Sequence, residues 1–75
     1  MTVTYQGVFE LAADGTIWGY VPELPGATGS GDSMETATES LREAIAIWIA
    51  DAILDGEELP RPTTIAAAPI VVDAA

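Results

Sequence analysis

Apolar residues follow two different rhythms along this chain. Over residues 2–11 they alternate in part with polar ones, through Val3, Tyr5, Val8 and Phe9. That is the pattern of a strand with one buried face. Asp14-Gly15 follows and predicts a hairpin with a type I′ turn, in which both central residues take positive φ. Residues 16–21 then read as the return strand, because Ile17, Trp18, Tyr20 and Val21 suit a pleated, half-buried surface. After residue 33 the rhythm changes. Met34, Ala37, Leu41, Ala44, Ile45, Trp48 and Ala52 recur at spacings of three and four, which is one face of a helix of about six turns.

Between the two rhythms stands VPELPGATGSGDS, residues 21–33. Pro22 and Pro25 end the second strand, since each lacks a donor and biases the preceding residue towards extended geometry. Leu24 between them is an apolar plug. Residues 27–30 fit a short third strand whose small side chains allow close approach. Asp32 or Ser33 caps the helix, with Asp32 and Glu35 as one capping pair and Ser33 as the alternative. Gly56 is placed to end the helix in a left-handed conformation. Leu59-Pro60-Arg61-Pro62 is a second proline clamp, residues 63–68 are a connector, and Pro69-Ile70-Val71-Val72 reads as a last short strand. The predicted fold is α+β: a three-stranded antiparallel sheet, one long helix and a short final strand, in the order β-β-β-α-β. Residues 1–75 are expected to form a single domain.

The second half of the helix is apolar over much of its circumference. Ile47 and Leu54 lie off the main stripe, and Ile49 and Ile53 widen it. A single small sheet does not cover that much surface, so these four residues are the expected interface of a homo-oligomer. Size points the same way. A chain of 75 residues buries a thin core, and with no Cys and no His it has neither a disulfide nor a zinc site to staple it.

Charge narrows the partners. Twelve acidic residues face two basic ones, Arg42 and Arg61, for a formal net charge of −10. Phosphate backbones and anionic membrane surfaces repel such a chain, so neither nucleic acid nor membrane is an expected partner. A basic protein is favoured. The longest apolar run, residues 44–50, is too short to span a bilayer, and no secretory signal is visible, so the expected location is the cytoplasm.

The order Tyr5…Val8-Phe9, Asp14-Gly15, Val21-Pro22-Glu23-Leu24-Pro25-Gly26, Gly31-Asp32-Ser33, the helix through Glu43-Ala44-Ile45 and Trp48-Ile49, then Gly56…Leu59-Pro60-Arg61-Pro62 resembles the HicB antitoxin family. The resemblance spans residues 5–62 and rests on the PELPG and GDS pair at this distance before the helix. It implies a partial ribonuclease-H-like fold. It also implies a role: HicB proteins bind and silence HicA toxins, small basic ribonucleases that cut messenger RNA. The implied partner is therefore a basic HicA-like toxin. The alternative is an orphan domain of this type, homo-oligomeric and without a toxin. Family members that repress their own operon carry a C-terminal DNA-binding domain, and none is expected here.

A ribonuclease-H-like outline raises the question of catalysis. Two-metal nucleases need clustered carboxylates. Asp14 is accounted for by its turn and Asp32 by its cap, which leaves Glu10 and Glu23. With no His and no Cys for acid–base or nucleophilic work, no enzymatic activity, no metal and no cofactor is expected. Glu10, Glu23 and Asp32 serve better as acidic groups facing a basic partner. Trp18 and Tyr20 share one face of the second strand. If Ile17 faces the helix, they face away and are natural contact anchors. If they face the helix, they are core.

Overall fold

The computed structural model describes residues 2–74. Strands β1 (Val8–Leu11), β2 (Ile17–Tyr20) and β3 (Thr28–Gly31) precede one helix, α1 (Met34–Leu54). The strands form an antiparallel sheet in the order β1-β2-β3, and α1 packs chiefly on β3. This is the expected α+β arrangement of three strands and a long helix.

The hairpin turn departs from expectation. Asp14 does not take positive φ, and Gly15 alone does, at 90°. The Ala12 N–H reaches the Thr16 carbonyl at 2.8 Å and the Gly15 N–H the Ala12 carbonyl at 3.0 Å. The connection is thus a three-residue loop in which a turn is followed by a left-handed glycine. Asp14 stabilises it by accepting the Thr16 N–H at 2.9 Å. That bond also holds the Asp14 carboxyl below its ordinary pKa.

The proline-rich passage is a pair of linked turns. The Leu24 N–H donates to Val21 and the Ala27 N–H to Leu24, each at 3.0 Å. In the second turn Pro25 precedes Gly26, whose φ is 90°, as a type II turn requires. The pair drives Leu24 inward until it is 1% exposed, against Val21, Ala27 and Leu41. The indole N–H of Trp48 then donates to the Pro25 carbonyl at 3.0 Å and ties the loop to the helix.

Glycines set the distance between the layers. A Cβ on Gly29 would lie 2.6 Å from Leu41 Cα, and one on Gly31 would lie 2.6 Å from the Ala37 nitrogen. In β2 the Phe9 ring fills the space above Gly19, where a Cβ would come within 2.6 Å of it. Phe9, Gly19 and Gly29 stand opposite one another across the three strands, so this row faces the helix.

Ser33 caps α1. Its side chain accepts the Thr36 N–H, and the Thr36 side chain accepts the Ser33 N–H, both at 3.1 Å. Thr36, rather than Glu35, closes this reciprocal box, because it occupies the third helical position behind Ser33. At the other end Gly56 has φ 71°, its N–H bonds Ile53, and the Glu57 N–H bonds Ala52 at 2.9 Å. This Schellman arrangement satisfies the last carbonyls. Ala37, Leu41 and Ala52 are buried, while Ile45 and Trp48 pack against the core partly exposed. Met34, assigned to the same stripe, is half exposed, because it lies in the first turn, beyond the end of β3.

No strand forms beyond the helix among the described residues. The short final strand expected at residues 69–72 is therefore corrected to an irregular segment. Two clamps hold the chain that leads to it. The Tyr5 hydroxyl donates to the Pro60 carbonyl at 2.7 Å. Glu23 accepts the Thr63 N–H at 2.9 Å, the Thr64 N–H at 3.2 Å and the Thr64 hydroxyl at 3.1 Å. Beyond these clamps the segment leaves the body without reaching a sheet edge, and Ile70, Val71 and Val72 remain 81%, 96% and 74% exposed.

Candidate protein-contact site

Strand alternation puts Val8, Glu10, Trp18, Tyr20, Thr28 and Ser30 on the face opposite the helix. Register orders them in two rows: Glu10–Trp18–Ser30 and Val8–Tyr20–Thr28. Nothing else among the described residues covers this face at its centre, where Trp18 is 50% exposed and Tyr20 38%. The open alternative for these two aromatics is thereby resolved: they point away from the helix.

Such an arrangement can serve a protein contact. Two flat rings present wide apolar area with few rotatable bonds, and each carries a polar group for a partner. Glu10 stands directly across from Trp18, so a carboxylate borders the central ring. Among the described residues no group of three or more acidic side chains is placed to hold a metal ion. Among the same residues no helix is long and apolar enough to cross a membrane.

The other sequence-derived candidates lie elsewhere. Glu23 follows β2, and its carboxylate is occupied by the Thr63 and Thr64 groups. The Thr63 N–H is the main reason that its pKa falls below the ordinary value, against a smaller opposing effect of burial. Asp32 sits at the opposite end of the sheet, between β3 and α1, with Oδ1 at 3.2 Å from the Thr36 hydroxyl. Glu10, Trp18 and Tyr20 are thus brought together, and Glu23 and Asp32 are not. On the helix, Ile47, Ile53 and Leu54 are 64%, 59% and 84% exposed, and Ile49 is half-buried.

Val8, Thr28 and Ser30 complete the open face and were not among the contact residues expected from sequence. The signal for them is the set of glycines. Positions 19, 29 and 31 lack side chains because the helix side of the sheet has no room for them. Residues of opposite parity on each strand must then form the outer face.

A small antiparallel sheet with one helix packed on its glycine-rich face defines an α+β domain with an aromatic open face. A sequence model of the family described as "HicB_like antitoxin of bacterial toxin-antitoxin system" matches residues 5–71. The chain is also 38% identical, over 55 residues, to the UPF0150 protein ssl0738 of Synechocystis sp.; the match covers 73% of this chain and 76% of that one. The chain belongs to the HicB-like antitoxin family.

Proposed function

We propose that the chain neutralises a small, basic, mRNA-cleaving toxin of the HicA type by covering its RNA-binding surface with the open sheet face. The observation that carries this reading is the half-exposed Trp18 ring opposite Glu10, on an uncovered face of a chain with net charge −10. A ribonuclease must present positive charge to hold RNA. The acidic antitoxin is steered to that charge, and the aromatic rings then hold the complex. The protein acts by occlusion and performs no chemistry of its own. Its place of action is the bacterial cytoplasm, where messenger RNA is cut.

Self-association accompanies this role. The exposed Ile47, Ile53 and Leu54 side chains support it, since a small core without staples gains from burying them. Co-expression with a basic toxin of the HicA type tests the central reading. Restored growth and a co-purifying complex are expected. Continued toxicity with no complex overturns it and favours a self-associating domain without a toxin.

A further inference from the structure

The two edges of the sheet are not equivalent. Ala12 and Thr16 form a hydrogen-bonded pair at the hairpin end, with the Ala12 N–H donating to Thr16. Antiparallel pairing alternates, so Glu10 and Val8 also direct their backbone groups towards β2. Phe9 and Leu11 therefore direct theirs outward, to the free edge of β1. The same alternation turns Ser30 outward on β3, and there the Ser40 hydroxyl accepts the Ser30 N–H at 3.1 Å. The helix thus guards the β3 edge, and among the described residues the β1 edge has no such guard.

Beside the β1 edge, on its helix side, lies a cleft of about 370 Å³ lined by Val3, Tyr5, Phe9, Leu41 and Ile45 among others. An added strand next to β1 would place alternate side chains in this cleft. The chain also carries a segment with the matching properties. Residues 70–72 are Ile-Val-Val, β-branched throughout and exposed, and residues 62–72 contain no charged side chain. In a chain of net charge −10, contact between copies is least opposed where charge is absent.

We infer that residues 70–72 of one chain add as a strand to the free β1 edge of a second copy, and that the exchange is reciprocal. Each chain has one donor segment and one acceptor edge, so two copies close on themselves with two-fold symmetry. Thr63 and Thr64 are fixed to Glu23, and the six residues from Thr64 to Ile70 reach at most ~20 Å when extended. The segment leaves its own body from that anchor and meets the neighbour's edge. Ile70 and Val72 enter the neighbour's cleft, and Val71 lies on the opposite side. This inference needs no toxin, and it puts the contact between two copies at the sheet edge in place of the helix face of Ile47, Ile53 and Leu54.

Two full-length variants test it by complementation. Val71→Pro and Val72→Pro, made together, remove a donor of each parity from the added strand, so one facing the edge is lost whichever way the strand runs, at residues 96% and 74% exposed in the folded chain. Leu11→Pro removes an outward N–H from the edge, a place where proline is tolerated within sheets. Circular dichroism checks that each folds, and Leu11→Lys, a charged edge block, replaces the second variant if it does not. At micromolar concentration, sedimentation of the wild type should give two chains and each variant alone one. Mixing the variants should restore a two-chain species, because an intact tail then meets an intact edge. A monomeric wild type overturns the inference. So do variants that stay dimeric, as pairing through the helix face predicts, and so does a mixture that remains monomeric.

Discussion

Gly29 lies directly beneath Leu41, and no side chain fits between them. A methyl group on Gly29 would sit 2.6 Å from the Leu41 Cα, within the helix backbone itself. This contact fixes which side of the sheet the helix occupies, and therefore which side Trp18 and Tyr20 present to a partner. Gly29→Ala should force the layers apart and cost about 1–3 kcal/mol, as overpacking does. For a domain of this size each kcal/mol lowers the melting temperature by about 4–8 °C. Thr28→Ala, next in the chain but on the open face, should change stability by no more than about 0.5 kcal/mol. Thermal denaturation of the two variants measures the difference.

Leu24 and Trp18 should respond to truncation in opposite ways. Leu24 is fully enclosed by the double turn and the helix, so Leu24→Ala should cost about 2–5 kcal/mol. Trp18→Ala removes a half-exposed ring from the outer face and should cost about 1 kcal/mol or less, the span of strand propensities. Urea titration followed by far-ultraviolet circular dichroism reads both. A Trp18→Ala chain that fails to fold would place the ring in the core.

Acid should release the C-terminal segment. Glu23 has a folded pKa below its ordinary value of 4.5, chiefly because it accepts the Thr63 N–H. A depressed carboxyl contributes stability that is present above the unfolded value and is lost as pH falls through the folded one. The clamp should therefore hold at neutral pH and loosen below pH 4.5. Amide exchange at Thr63 and Thr64, followed by nuclear magnetic resonance, should lose protection in that range, after correction for intrinsic rates. Glu23→Gln should lose part of that protection already at neutral pH. Unchanged protection in both cases would contradict the clamp.

Most of the fold was legible because its signals are local. The change from alternating to three-and-four spacing marks the helix, Gly56 ends it, and the prolines around Leu24 announce a rigid turn. The misreadings came where distant groups decide. Asp14-Gly15 suggested a two-residue turn, but the Ala12–Thr16 bond made the loop one residue longer. Glu23 looked like a free surface acid, and only its contact with residues forty positions away shows its structural work. Residues 69–72 have the composition of a strand, yet a strand needs an edge to pair with, and composition does not say whether one is within reach. The orientation of Trp18 was left open by alternation alone. The empty helix-side positions at Gly19, Gly29 and Gly31 decide it.

The most direct test of the antitoxin account is a binding titration against a basic toxin of the HicA type, held as a catalytically dead variant. Wild type, Trp18→Ala and Glu10→Lys are compared at low and physiological salt. Trp18→Ala should weaken binding by about 2 kcal/mol or more, about thirty-fold, mainly through faster dissociation. Glu10→Lys should slow association and flatten its dependence on salt. The active toxin should cleave RNA in the presence of Trp18→Ala at antitoxin concentrations where wild type stops it. If both variants bind and inhibit as wild type does, the open sheet face is not the surface that covers the toxin, and the account fails at its centre.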